Sequence, residues 1–428
     1  MAERTQPLRL LGDTHFDYPG HPEAALARGE IGLILRHLNA LLPTSGGIVT
    51  AVKGDWGTGK TSVLKAIESY YRDMHRFPVV FFEAWKYQDE EQPLVPLLQH
   101  IIRALEKGRT SQWRTAALKS LRKAVLASML LAAGEWLLPP GISIKDVKEA
   151  LKTVEGEERD LLAPGTQYDD YLAAMTEVIR KLPSQWKAPV NDERRDLWDG
   201  YLGGLPVEEQ NELRNPLSVH EAAEPRLVLI IDDLDRCLPQ KGFAILEAVR
   251  FHLAVEGVLV VMGVDDRILA RFVERHYGLA ESRDDGLEPL FSGREFLDKI
   301  YHWSHELRFA GFDAVQDVYF ADCKLGTVAG ELLDQLSVPF RTWVRIRNRI
   351  AGSCSNRGMV LDVEVWLAVL VELVPDADHL LRRRPVDVDS ILDRNAGEKL
   401  VKELVEGASN DLASNLVEAY NFIRESGV

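Results

Sequence analysis

Three rhythms of apolar and polar positions run along this chain, and each predicts a different element. Between residues 29 and 42, Ile31, Ile34, Leu35, Leu38, Leu41 and Leu42 recur every three or four positions, which gathers them on one helical face. Pro43 and the Gly46-Gly47 pair predict its end. IVTAVK at 48–53 predicts a short strand, a glycine-rich turn follows, and the pattern from about 60 to 72 is helical again. PVVFFEA at 78–84, opened by proline and rich in β-formers, predicts a second strand.

The third rhythm is unbroken apolarity. LVLII at 227–231 runs straight into acids, GVLVVMGVD at 257–265 ends on one, and strands apolar on both faces belong inside a parallel sheet. A helical pattern at about 240–253 separates them. Strands alternating with helices predict an α/β domain, its parallel sheet covered on both sides. Between 93 and 224 the chain reads as helices broken at Pro139-Pro140-Gly141, Pro164-Gly165, Pro183, Pro189 and Gly203-Gly204. After about 311 it is helical once more. The expected organisation is an N-terminal segment and helix (1–46), a first part of the sheet domain (47–92), a helical insertion (93–224), the rest of the sheet domain (225–310), and a helical C-terminal domain (311–428).

Composition narrows the picture. A chain of 428 residues exceeds what one hydrophobic core fills, in keeping with several parts. Cysteine occurs three times, too seldom for a disulfide scaffold and without zinc spacing, which fits a reducing cytoplasm. The N-terminus lacks a signal-type apolar run, so export is not expected. The formal net charge of −15 argues against a surface built for nucleic acid, although it leaves room for a local basic site. The longest apolar stretch, AVLASMLLAAGEWLL at 124–138, falls short of the roughly 20 residues a bilayer span requires. It is expected as a buried helix, the alternative being a helix lying in a membrane interface.

The chemistry concentrates in GDWGTGKT at 54–61, a full G-x-x-x-x-G-K-[ST] match between a strand and a helix. Its glycines let successive N–H groups turn inward on phosphate oxygens, and the helix start adds its positive end. Gly54, Asp55, Trp56, Gly57, Thr58, Gly59, Lys60, Thr61 and Ser62 are therefore the expected nucleotide-binding residues. Lys60 would reach the β- and γ-phosphates, and Thr61 would ligate Mg²⁺. That metal needs an acid at the end of a neighbouring buried strand, and Asp232 is placed there. Asp233 follows, either orienting the attacking water or capping a turn, while Asp235 and Arg236 are expected to hold that turn together. Asp265 ends the next strand and could sense the γ-phosphate or cap the helix that starts beside it. Glu83 either assists water positioning or is a polar strand end, and Trp85 is expected as core beside the site.

GDWGTGKTS at 54–62, FFEAWKYQDEEQPL at 81–94 and LVLIIDDLDRCLP at 227–239 together resemble the KAP family of P-loop NTPases. AILEAVRFHL, VVMGVDDRIL and FLDKIYHW, starting at 244, 260 and 296, match in style, and the likeness spans about 25–350. It implies an ASCE-type P-loop fold with the helical insertion between the two Walker motifs, and ATP with Mg²⁺ as ligands. Many members carry transmembrane helices in that insertion; here only 124–138 is a candidate, so no stable span is expected. PFRTWVRIRN at 339–348 resembles the lid element of related NTPases, which makes Arg341 a γ-phosphate sensor. The other reading of Arg341, Arg345 and Arg349, spaced along one helical face, is a solvated basic face or a nucleic-acid contact.

The expectation is thus a cytoplasmic Mg²⁺-dependent ATPase switch with catalytic Asp233, Lys60, Glu83 and Arg341, working with protein partners in a multi-component complex and open to oligomerisation. Bacterial members resemble parts of phage-defence gene clusters, and that likeness alone supplies the expectation of an antiphage complex. The alternatives are a non-catalytic, nucleotide-dependent scaffold for protein or DNA, and a small-molecule kinase. The tandem acids at 232–233 favour water over a kinase's acceptor.

Overall fold

The computed structural model of this chain describes residues 19–20, 24, 26–42, 47–90, 94–106, 191–215, 227–278, 292–323, 325, 327–334, 336–353, 365, 368–369 and 372. The apolar stretch 124–138, most of the expected insertion and most of the expected C-terminal domain lie outside the described residues. The chain divides into two compact units: Phe16–Gly54 with Lys60–Leu307, and Asp55–Gly59 with the described residues from Arg308 onward.

The larger unit is built on five parallel strands: β1 (Ile48–Lys53), β2 (Val79–Glu83), β3 (Leu227–Asp232), β4 (Val258–Val264) and β5 (Trp303–Glu306). Their order is β2-β3-β4-β1-β5. Thus β4 stands between β1, which leads into the glycine loop, and β3, which ends in the acids. This interposed strand marks the ASCE division of P-loop folds, and the chain has that fold. Ile48 lies beside Leu259 and Leu227 beside Val258, which brings the C-terminal ends of β1, β3 and β4 to one edge.

Burial on both faces explains the unbroken apolar runs. Alternate side chains divide between two cores, as a period of two requires. Leu229, Ile231, Val260 and Met262 enter one core, with residues of α3 (Leu94–Glu106), α6 (Pro239–Ala248), α7 (Asp266–His276) and α8 (Gly293–Asp298). Val228, Ile230, Leu259 and Val261 enter the other, with α1 (Arg28–Leu41), α2 (Lys60–Ser69), α4 (Asp192–Leu202) and α5 (Val207–Arg214). In α1 the face spelled out by the sequence is the buried one: Ile31, Ile34, Leu35 and Leu38 are wholly enclosed. Each such side chain contributes roughly 1.5–3 kcal/mol relative to exposure.

The loop helix α2 does not run to residue 72 as a regular helix. It widens into a π turn over Tyr70–Met74, and a buried polar network anchors that turn. Ser69 Oγ donates to Asp73 Oδ2 at 2.8 Å and accepts from Trp198 Nε1 at 2.9 Å, while Arg194 Nε donates to Asp73 at 3.1 Å. Helix α4, at the end of the expected insertion, is therefore bonded to the far end of the loop helix. The edge strand β5 was not foreseen. It pairs with β1 from Thr50↔Trp303 to Lys53↔Glu306, and the His302 ring extends the ladder by accepting Val49 N–H at 3.0 Å.

In the smaller unit, β6 (Ala310–Gly311) pairs antiparallel with β7 (Ser337–Val338), an addition to the helices expected there. Around it stand α9 (Phe312–Tyr319), α10 (Thr327–Asp334) and α11 (Phe340–Ser353). Trp343 is fully buried against Phe312 and Phe320 and donates to Ala310 O at 2.8 Å. Arg347 is equally buried, with both oxygens of Asp322 at 2.7 Å.

Candidate functional site

The site of the larger unit lies at the C-terminal edge of the sheet, where ligands bind in open α/β folds. Gly54 leaves β1 and donates to Val264 O at 3.2 Å, tying the start of the loop to β4. Lys60 opens α2 and is almost fully buried. Its Nζ donates to Gly54 O at 2.7 Å and stands 4.0 Å from Asp235 Oδ2. Thr61 and Ser62 follow in the first turn, both half-buried.

Asp232 ends β3 with only 1% of its surface exposed. Its Oδ1 accepts the Asp233 amide at 2.9 Å, whereas its Oδ2 is buried with no hydrogen-bond partner among the described residues. Burial raises its carboxyl above the ordinary range, and Thr61, the Asp233 amide and the Lys60 charge work the other way. A Cβ on Gly263 of β4 would come within 2.9 Å of Asp232 Oδ1 and 2.5 Å of Leu64 Cδ1, so only glycine leaves this carboxylate its place.

These donors fit a divalent cation. A buried carboxylate oxygen lacking a donor, beside a threonine hydroxyl, is a hard oxygen pair of the kind Mg²⁺ prefers. No group of three metal-ligating side chains occurs among the described residues.

The remaining acids separate by what holds them. Asp233 takes a left-handed backbone (φ 57°), a conformation Asp tolerates better than most residues, and its Oδ1 pairs with Arg236 Nε at 2.8 Å. Arg236 thus holds the turn as expected. Asp235 also faces beyond the turn: it is buried toward Lys60, with Oδ2 lacking a hydrogen bond among the described residues. Burial pushes its carboxyl up, against the pull of Lys60. The sequence offered no signal for this, because a 3-10 turn over Leu234–Arg236 rather than a strand or helix period aims the side chain.

Asp265 caps α7: its Oδ1 accepts Arg267 N–H at 3.0 Å and its Oδ2 lies 2.9 Å from Arg267 NH2. Burial would raise that carboxyl, but the Arg267 bonds outweigh it and hold it low. Of its two readings, the cap is the one seen. Glu83 lies opposite Asp232 in the β2–β3 register, with its carboxylate paired to Lys86. Trp85 is 46% exposed in the 3-10 turn after β2, which corrects its expected place in the core.

In the smaller unit, Asp55, Trp56, Gly57, Thr58 and Gly59 form the tip of the loop. Gly57 (φ 84°) and Gly59 (φ 96°) occupy conformations that favour glycine. Thr58 Oγ1 bonds Asp55 O at 2.8 Å, and Trp56 is 62% exposed. Arg341 N–H donates to Gly57 O at 3.2 Å, so the start of α11 sits directly on the loop tip. A Cβ on Gly57 would meet Arg341 Cβ at 2.9 Å. Arg345 and Arg349, expected as a solvated basic face or a nucleic-acid contact, both pair with the buried carboxylate of Glu372.

Among the described residues, no helix is long and apolar enough to cross a membrane. The family model described as KAP family P-loop domain matches residues 33–324. Among solved structures, a RuvB variant of Thermotoga maritima aligns at 12% identity over 94% of this chain and 87% of its own, with a TM-score of 0.32. An ORC2 protein of Aeropyrum pernix, solved in ADPNP–ADP complexes, aligns at 12% identity over 97% of each chain, with a TM-score of 0.38. Among curated proteins none matches.

Proposed function

We propose that this chain, which belongs to the KAP family of P-loop NTPases, is an Mg²⁺-dependent ATPase whose hydrolysis cycle drives a conformational switch. One observation carries the reading: Lys60, Thr61 and Asp232, whose buried Oδ2 lacks a hydrogen-bond partner among the described residues, converge at one sheet edge, the charge arrangement that a metal-bound nucleoside triphosphate requires.

In this reading the loop N–H groups of 54–61 and the Lys60 ammonium bind the phosphates. Asp232 and Thr61 would hold Mg²⁺, which when bound neutralises charge on the β- and γ-oxygens. Asp233 orients a water for in-line attack on the γ-phosphorus; the new P–O bond forms as the bond to the ADP oxygen breaks. Glu83, across the register from Asp232, supports the same water, and Asp265 lines the edge beside it. Arg341, bonded through its own amide to the loop tip, reports γ-phosphate to the helical parts. ATP as the nucleotide, protein partners, a cytoplasmic location and a place in a bacterial antiphage complex rest on the family resemblance alone.

Calorimetry and phosphate release on wild type, Lys60→Ala and Asp232→Asn test the proposal. Loss of binding in Lys60→Ala and of Mg²⁺ dependence in Asp232→Asn supports it, and unchanged values refute it. A second reading, nucleotide-dependent scaffolding without turnover, is favoured by one observation: both candidate water-orienting carboxylates hold a cation, Asp233 with Arg236 and Glu83 with Lys86. Nucleotide binding without phosphate release, even in co-purified complexes, would decide for it.

A further inference from the structure

The lysine of the phosphate loop has a carboxylate facing it that the phosphates must contend with. Lys60 Nζ lies between Gly54 O at 2.7 Å and Asp235 Oδ2 at 4.0 Å. Lys60 and Asp235 are 8% and 6% exposed, so water screens their interaction little. Gly54 O is neutral, and of the other acids that feel the Lys60 charge, Asp232 already has the Asp233 amide and Asp265 already has Arg267. Asp235 Oδ2 has no hydrogen-bond donor among the described residues, and of the two cations that compensate its charge, Lys60 and Arg236, Lys60 acts the more strongly.

We propose that Asp235 is a built-in competitor of the nucleotide for Lys60, a positioning residue that lowers the affinity of the loop for phosphate and keeps the site exchangeable. The proposal rests on the nucleotide-binding reading above. A triphosphate entering the loop draws the ammonium away from Asp235 and sets its own negative charge near a buried carboxylate. Both effects oppose binding, and both vanish when the carboxylate becomes an amide. The sign is the opposite of what a structural residue would give: loss of a scaffold contact weakens binding, whereas loss of a competitor tightens it. Such a device suits a switch, because a loop that holds product too firmly cannot reset.

The pair is tested first without nucleotide, by thermal unfolding of the full chain. Lys60→Met leaves the buried Asp235 charge without the stronger of its two compensating cations, so this variant melts below wild type. Adding Asp235→Asn removes that charge, and the double variant melts above Lys60→Met alone. If the second substitution lowers the melting temperature further, Asp235 does not depend on Lys60 and the proposal falls, whatever nucleotide does.

The second arm is calorimetry with Mg²⁺·ADP and a non-hydrolysable Mg²⁺·ATP analogue. Asp235→Asn is expected to bind both at least about fivefold more tightly than wild type, the scale of one like charge removed at several ångströms in a partly screened site. Equal or weaker binding by a folded Asp235→Asn overturns the proposal and leaves the nucleotide reading intact. Wild type that binds neither nucleotide overturns that reading, and the competitor role with it, even where the melting arm confirms the ion pair.

Discussion

Replacing Gly263 by alanine places a methyl group where β4 runs between the loop helix and Asp232, the acid proposed to hold the metal. The added carbon would stand 2.5 Å from Leu64 Cδ1 and 2.9 Å from Asp232 Oδ1, against the roughly 3.5–4.0 Å of an ordinary carbon contact. Leu64 is fully enclosed and Asp232 is 1% exposed, so neither can swing into solvent. The strain must be taken up by moving α2, by turning the carboxylate off the Asp233 amide, or by both. Overpacking of this kind costs about 1–3 kcal/mol. At about 2–4 °C per kcal/mol for a domain of 150–250 residues, the melting temperature should fall by several degrees. The functional effect should be selective: displacing Asp232 weakens the gain in nucleotide affinity on adding Mg²⁺ more than it weakens metal-free binding. Thermal melts with calorimetry in Mg²⁺ and in chelator measure both quantities. Leu64→Ala combined with Gly263→Ala should cost less than the sum of the two single changes, because the smaller side chain vacates the contact. A folded Gly263→Ala protein with wild-type melting and wild-type Mg²⁺ dependence would refute the reasoning, since β4 could not then run so close to Asp232.

Other outcomes follow from the same geometry. Lys60→Ala should reduce nucleotide affinity at least about tenfold, or 1.4 kcal/mol, by calorimetry. Asp233→Asn should leave Mg²⁺·ATP binding within about threefold while cutting phosphate release about 10²-fold or more, in the range for losing a general base. Asp232→Asn should melt above wild type when ligand-free: burial raises this carboxyl, so its ionised form disfavours the folded state at pH 7, and the amide removes that term. Asp73→Asn should cost about 1–3 kcal/mol at pH 7 by leaving buried partners unpaired. Burial opposes ionisation of Asp73, but Arg72, Ser69 and Arg194 prevail and hold its carboxyl below the ordinary 3.8. Its contribution is therefore present above that value and lost as pH falls through the depressed one, so the wild-type and Asp73→Asn stability curves should converge in acid.

What the sequence disclosed and what it hid divide along physical lines. Strands β1, β3 and β4 were legible because they are buried on both faces and hence uninterrupted in apolarity, and the loop because only glycine tolerates its turns. Strand β5 was not, because an edge strand reading Trp-Ser-His-Glu, half its side chains toward solvent, carries no apolar run. The π turn after Ser69 keeps the same apolar residues in nearly the same order as a regular helix, and only the Ser69–Asp73–Trp198 network distinguishes it. At the site, Lys60, Thr61 and Asp232 were read from spacing. The facing of Asp235 toward Lys60 was hidden, since it depends on the left-handed step at Asp233 and the 3-10 turn beyond it.

The strand order also sets when the site can come into being on the ribosome. Among the described residues, strand β1 hydrogen-bonds to β4 and β5 alone, and both are synthesised long after it. Between the emergence of Lys53 and that of Val258 lies a delay on the order of 10–40 s at ordinary elongation rates of about 5–20 residues per second. Throughout that interval the glycine loop hangs from a strand without neighbours, and β2 waits for β3 across everything between Glu83 and Leu227. Nucleotide therefore cannot template the nascent chain from its N-terminal end. A fragment that stops before Val258 carries the complete glycine loop and neither of the strands that hold it in place.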